Sequence, residues 1–333
     1  MVKKVYTRYA ITAAVLIVVF LLFSLAFKVN LVNDYTARII RQIGIFSIAA
    51  LGLNLILGFT GQFTLGHAAF MSIGAYTSAV LTKNFNMPFA LALLAGVAMA
   101  GLLAGLIGSP ILRLTGDYLA ICTLGFGEIV KVFIQNIDYL GGARGFSAIA
   151  PKTTFGSIFL CLVICFTLIK NLMRTSSKGR AIFTVKEDEI AASAMGINTT
   201  NYKLLAFIIG CSMAGLAGGL YAHFNSFIDP LSFNFSQSFT LMTYVVLGGM
   251  GSLSGSIIGT GILVYLPEAL RGVSDVLKNY RMLIYAILLV AMMLFRPQGI
   301  LGNKEVTPEG IKKFVQNVRK KFSKKKQTAK EGE

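Results

Sequence analysis

Charged and hydrogen-bonding side chains are so sparse in the apolar stretches of this 333-residue sequence that each one stands out. Glu128 and Lys131 lie three residues apart in an apolar segment, the spacing at which two side chains meet on one helix face. A lone charge at mid-membrane costs roughly 2.5–3.5 kcal/mol on insertion scales, so the pair either neutralises itself or lines a wet pathway. Gln62, Thr64 and His67 interrupt the apolar run LGLNLILGFTGQFTLGHAAFMSIGAY (51–76), together with Gly58, Gly61, Gly66 and Gly74. His67 reads as a hydrogen-bonded packing residue before it reads as a proton carrier. A second stretch, VLGGMGSLSGSIIGTGILV (246–264), holds Gly248, Gly249, Gly251, Gly255, Gly259 and Gly261. Glycine lets membrane helices approach closely, and where it breaks a helix the freed carbonyls can line a cavity. Both readings stand for these two stretches.

The polar segment 170–203 has a pattern of its own. Glu187, Asp188 and Glu189 precede Ile190, Ala191, Ala194 and Met195 at helical spacing, and Gly196 closes the run. This predicts a short amphipathic helix with carboxylates in its first turn, where the macrodipole favours them, and a glycine stop. Such a helix is suited to docking in a partner's groove, or it is an interfacial linker between two spans. Enzyme chemistry is poorly served. There is no G-x-x-x-x-G-K-[ST], no Gly-Lys pair and no H-E-x-x-H, and His67 and His223 are the only histidines. Cys122, Cys161, Cys165 and Cys211 fall in apolar segments without metal-ligand spacing and read as small hydrophobic residues. No cofactor, metal or resident nucleotide site is expected.

The elements that position these residues must be membrane helices. The composition is 55% hydrophobic and 14% charged, against about 25% charged in soluble domains. No Asp, Glu, Lys or Arg occurs between Arg41 and Lys83, between Lys203 and Asp229, or between Asp229 and Glu268. About 20 apolar residues cross a hydrocarbon core roughly 30 Å thick. The sequence therefore predicts an all-α polytopic protein of about 8–10 transmembrane helices, with working spans at 10–27, 42–58, 64–82, 89–112, 118–135, 154–172, 204–224, 234–249, 252–267 and 281–295. The segment 53–76 could instead be a re-entrant pair.

With both termini cytoplasmic, 21 of the 31 Lys and Arg fall inside and 9 outside, as the positive-inside rule requires, and Lys131 lies within a span. The N-terminus (Lys3, Lys4, Arg8, then an apolar run) looks like a secretory signal but is too long for one and reads as a retained first helix. Residues 1–295 form the membrane domain with a cytoplasmic loop at 173–203, and 296–333 form a basic cytoplasmic tail lying against anionic lipid. The net charge of +17 thus reports topology and lipid contact, not nucleic acid.

Several blocks in this order resemble a known family. LNLILGFTGQFTLGHAAFMSIGAY (53–76), GRAIFTVKEDEIAASAMGIN (179–198), GLAGGLYAHFNSFIDPLSF (215–233), VLGGMGSLSGSIIG (246–259) and FRPQGILG (295–302) are similar to the LivM-type permease subunit of branched-chain amino acid ABC importers. The resemblance covers roughly residues 40–302. It implies an inner-membrane subunit that pairs with a second permease as a hetero- or homodimer, with two ABC ATPase subunits and an extracytoplasmic substrate-binding protein. It also implies that 187–196 is the coupling helix. Ala191, Ala192 and Gly196 match the core of the family's EAA-x-x-x-G coupling motif, while the later Leu-Pro is missing. ATPase-coupling candidates are then Glu187, Asp188, Glu189, Ala191, Ala192 and Gly196. Pathway candidates are Gln62, Thr64, His67 and Glu128, and hinge or packing glycines are Gly58, Gly61, Gly66, Gly248, Gly249 and Gly251. The open alternatives are the same machine carrying urea, short amides or other amino acids, and an ion-coupled secondary transporter using Glu128, Lys131 or His67.

Overall fold

The computed structural model describes residues 33–114 and 116–271, with a few later positions that include 299–302 and 305. The expected span 10–27, most of 281–295 and the greater part of the tail lie outside the described residues. Ten α-helices are described: α1 (Asp34–Asn54, continued by a π turn, Leu55–Phe59), α2 (His67–Lys83), α3 (Phe89–Ile111), α4 (Asp117–Gln135), α5 (Phe155–Thr175), α6 (Ser177–Glu187), α7 (Glu189–Ala194), α8 (Thr199–Asn225), α9 (Phe235–Gly248) and α10 (Leu253–Arg271). No strand occurs among the described residues, and an isolated bridge pairs Phe146 with Ile228.

Side-chain caps set where many of the helices begin. Thr154 and Ser157 form a capping box for α5, Ser176 caps α6, Asp188 caps α7, Asn198 caps α8 and Asn234 caps α9. Four units are long and apolar enough to cross a membrane: Asp34–Phe59, Phe89–Ile111, Phe155–Thr175 and Thr199–Asn225. The first starts earlier than the expected 42–58. Its extra turns carry Arg38 and Arg41, whose guanidinium groups each sit 5.8 Å from the centre of the Phe224 ring. The expected spans 234–249 and 252–267 are both helical, but α9 and α10 form one pair bent by 120°. At 14 residues α9 is about 21 Å long, short of the roughly 30 Å core. This corner is a broken or re-entrant unit, not two independent full-length crossings.

The core is built around α8, which packs against α1, α2 and α3. Between membrane helices apolar burial gives little driving force, so contact area must come from close approach. The sequence supplies it with glycine. Gly52 on α1 and Gly210 on α8 face each other, and a Cβ on either would stand 2.5 Å from the other's carbonyl oxygen. Gly74 on α2 meets Gly215, and Gly218 meets the Met71 carbonyl, closely enough that any side chain would overlap backbone. Buried His223 then locks α8 to α2, with Nδ1 2.8 Å from the Gly219 carbonyl and Nε2 2.9 Å from Thr82 Oγ1.

Gly218→Ala should therefore force α2 and α8 apart and destabilise the protein by about 1–3 kcal/mol. Gly105→Ala, which would meet only the flexible end of Ile208 at 3.4 Å, should be neutral or slightly stabilising. The chain has no Trp, so unfolding is best followed with a thiol-reactive dye reporting buried Cys165 and Cys211.

Candidate functional site

The first glycine stretch breaks the path from α1 to α2. The α1 helix ends in a π turn, and after it the Thr60 hydroxyl and the Gln62 N–H both donate to the Ile56 carbonyl. Gly61, at φ +72°, then reverses the chain. The segment that follows is stapled on two sides. Leu65 N–H donates to Thr123 Oγ1 on α4 (3.0 Å), and Ala68 N–H donates to Ser238 Oγ on α9 (3.0 Å). Gly66 lies against α4, where a Cβ would be 2.5 Å from the Thr123 carbonyl oxygen. Thr64 is buried and its hydroxyl accepts the Gly66 N–H. His67 Nε2 lies 3.1 Å from the Ala49 carbonyl, an acceptor, so that nitrogen carries the proton and Nδ1 is left without a partner. Gln62 is buried as well, and neither its amide nitrogen nor its oxygen has a hydrogen-bond partner.

The second stretch forms the α9–α10 corner, and the two stretches meet. Fully buried Asn54, the last residue of α1, reaches across to the corner. Its Nδ2 donates to the Ser252 carbonyl (2.9 Å) and to Ser256 Oγ (2.8 Å), and its Oδ1 accepts the Gly251 N–H (2.9 Å). Gly58 stacks over this clasp, and a Cβ there would lie 2.5 Å from the Gly251 nitrogen. The corner is held from its other side by the chain's C-terminal part. Ile300 and Leu301 N–H donate to the Leu247 and Gly248 carbonyls (2.8 and 3.3 Å). The Glu305 carboxylate caps α10, accepting from Leu253 N–H (2.7 Å), Ser254 N–H (3.2 Å) and Ser254 Oγ (2.7 Å).

The glycines divide between the two expected roles. Gly58, Gly66 and Gly248 serve close packing, the last against the Gly255 carbonyl. Gly61, Gly249 (φ +119°) and Gly251 (φ +87°) serve turns. Gln62, Thr64 and His67 share one buried segment, but Glu128 does not join them. It pairs with Lys131 on α4, five residues on from Thr123 and so about 140° around the helix from the face that binds the break. Asn54, Ser256 and Glu305 were not singled out in the sequence. Asn54 could have been, since it is the one Asn in the apolar run 42–82.

The helix expected over 187–196 is α7, capped by Asp188 and shorter than expected at both ends. Glu187 closes α6, and α7 begins only after Asp188, whose Oδ1 accepts the N–H groups of Ile190 and Ala191 at 2.9 Å. A side chain used as a cap cannot also continue the preceding helix, which is why the acidic run breaks there. Glu189 pairs with Lys203 on α8 at 2.5 Å. Ala192 is fully buried, and Gly196 (φ +79°) makes the stop. Ile190 and Met195 are 84% and 82% exposed, and Ala191 and Ala194 beside them are exposed too. The apolar stripe of α7 thus faces away from the protein. Behind it, α6 packs on the π turn, and Lys186 Cγ lies 3.6 Å from where a Cβ on Gly61 would be.

A family described as "branched-chain amino acid transport system / permease component" matches residues 35–293. The chain belongs to this family. It is 38% identical to the high-affinity branched-chain amino acid transport system permease protein LivM of Salmonella typhimurium, over 77% of this chain and 68% of the relative. To the Escherichia coli K12 protein of the same name it is 36% identical, covering 81% and 71%. To LivH, a second permease protein so described in Salmonella typhimurium, it is 28% identical, covering 78% and 92%. No solved structure matches the chain. The family and the long apolar helices together make it a multi-pass inner-membrane transport permease, all-α as the sequence predicts.

Replacing Asn54 by Leu should leave the part-buried Gly251 N–H without its partner, while the Ser252 carbonyl keeps the Ser256 N–H and hydroxyl, and cost about 1–3 kcal/mol. Glu305→Ala, which removes a cap, should cost about 1 kcal/mol. Both are read as a lower midpoint in the thiol-exposure melt.

Proposed function

We propose that this chain is the membrane subunit of an ATP-driven importer of branched-chain amino acids. It works beside a second permease of the LivH kind, two ABC ATPase subunits on the cytosolic face and an extracytoplasmic binding protein. The observation that carries this reading is the arrangement of α6 and α7. One short helical unit presents exposed Ile190 and Met195 outward and touches the broken α1–α2 path at Gly61 from behind. An outward apolar ridge on a six-residue helix is suited to a groove in a partner. A movement imposed on α7 passes through α6 to the π turn, and through the Asn54 clasp to the α9–α10 corner. Residues 1–295 then act as the permease domain, with the termini and the loop 173–203 in the cytosol, and 296–333 as its basic tail.

In this reading the buried amides and carbonyls at the break meet the polar ends of a zwitterionic cargo as it passes. Gln62 is the first candidate, because its amide can donate to a carboxylate and accept from an ammonium group. Thr64 serves beside it. His67 is mainly a clamp between α1 and α2. Glu128, placed on the other side of α4, is withdrawn from that group of contacts and belongs to a different surface. Asp188, Glu189, Ala192 and Gly196 shape and anchor α7, so contact with the ATPase falls chiefly to Ile190, Ala191 and Met195, with Glu187 at the edge.

Ile190→Asp and Met195→Asp alter only exposed side chains. Each should leave membrane insertion and melting unchanged while reducing ATPase recovery in pull-down, and leucine uptake, by about tenfold. Undiminished ATPase recovery would move the docking surface elsewhere in 170–203. Leucine uptake in a strain lacking only this chain tests the cargo. Loss of leucine uptake supports the reading, and retained leucine uptake with urea or amide uptake lost would replace the cargo and keep the machine.

A further inference from the structure

Helices α3, α4 and α5 each turn apolar side chains outward. On α3 these are Leu91, Leu94, Leu102 and Leu106, and on α5 Leu160, Ile164 and Leu168. Bulky aliphatic surface without charge is what lipid tails accept. The outward face of α4 carries the same kind of surface at Tyr118, Ile129 and Phe133, but an ion pair lies along its edge. Ile121, Gly125, Glu128 and Val132 follow one another at spacings of four, three and four, which places them on one face. Ile121 and Val132 are 64% and 49% exposed, and the Glu128 side chain between them is 39% exposed, with its partner Lys131 at 18%. Ionised side chains within membrane segments face protein or a wet cavity, not lipid.

Gly125 adds an independent observation. Within the described helices this chain uses glycine for close crossings, as at Gly52, Gly74, Gly210 and Gly218, where a Cβ would strike a neighbour's backbone. Gly105, Gly127 and Gly261 are roomier, and at Gly125 a Cβ would meet nothing within 4 Å among the described residues. A glycine on the outward face of a membrane helix suits the crossing of another helix. No helix of this subunit crosses there among the described residues.

We propose that the face Ile121–Gly125–Glu128–Val132 of α4 is the surface covered by a second permease subunit of the LivH kind, with a partner helix crossing at Gly125. The inference rests on the reading of this chain as one of two unlike permeases in one importer. Two observations favour that occupant over a second copy. A single organism, Salmonella typhimurium, has two permeases of this description, LivM and LivH, and this chain is similar to both while closer to LivM. The ion pair then lies at the seam between subunits, shielded from lipid, and α4 has one face on the α1–α2 break and the other on the partner.

The test uses the full chain co-expressed with the LivH-type permease and the ATPases of the same genome. A photo-crosslinking amino acid is placed at Ile121 or Val132 on α4 and, for comparison, at Leu94 or Leu102 on α3. The expected result is adducts with the LivH-type permease from the α4 positions, about fivefold or more above those from α3. Gly125→Leu should keep insertion and the melting midpoint of the isolated chain, since among the described residues no atom lies within 4 Å of a Cβ there, yet lower recovery of the permease pair by about fivefold or more. If the two permeases co-purify but crosslink through α3, or recovery with Gly125→Leu is unchanged, the assignment of α4 is overturned while the importer reading stands. Adducts between two copies of this chain, or within one copy to 10–27 or 281–295, would overturn the choice of occupant. Failure of the two permeases to co-purify at all would overturn both.

Discussion

The amide of Asn54 holds together the two places where this membrane protein departs from regular helix. It uses both Nδ2 hydrogens and its Oδ1 on the backbone and Ser256 of the α9–α10 corner, and it does so at the end of α1, one turn before the chain breaks toward α2. Free backbone groups are costly in a hydrocarbon surrounding, and a broken helix creates several. The clasp satisfies some of them with a side chain that is itself fully satisfied. Without it, the π turn, the turn at Gly61 and the corner at Gly249 would be three separate defects. With it they form one unit that can shift together.

Glycine is the second half of that arrangement. Helices in lipid cannot rely on the hydrophobic effect to find one another, so α8 gains its contacts by meeting α1 and α2 backbone to backbone. This close-packed block is rigid because no side chain is present to repack. The broken segments lie at its edge, and α6 and α7 lie beyond them. Rigid core, joined breaks and an outward-facing apolar ridge on α7 suit the proposed device moved from outside its own chain, whose sequence carries no G-x-x-x-x-G-K-[ST] motif.

Much of this was legible in the sequence because membrane helices are announced by composition. The spans at 89–112 and 154–172 agree with α3 and α5 to within a few residues, and 118–135 is helical as α4, since long apolar runs bounded by caps such as Thr154 leave few alternatives. The two glycine stretches were visible as breaks, but not their meeting. A contact between Asn54 and Ser256 spans 202 residues of chain, and no local period records it. The run Glu187–Asp188–Glu189 was read as one helical start, whereas Asp188 acts as a cap and divides it, a distinction that depends on backbone angles. Charge counting sets 296 onward apart as a basic extension, yet 299–302 and Glu305 dock on the α9–α10 corner through backbone hydrogen bonds that composition does not register. Glu128 is a pathway candidate in the sequence because it is charged and apolar neighbours surround it. Only the position of Thr123 around the same helix separates it from the break.

The central claim is that transport through this chain is driven by a partner's ATP hydrolysis and not by an ion gradient. The most direct measurement is leucine uptake into proteoliposomes holding the assembled permeases and binding protein, with and without the ATPase subunits, and with the proton and sodium gradients collapsed. Uptake that requires the ATPase and ATP and survives loss of the gradients is the predicted result. Uptake that persists without the ATPase and disappears with the gradients would contradict the account.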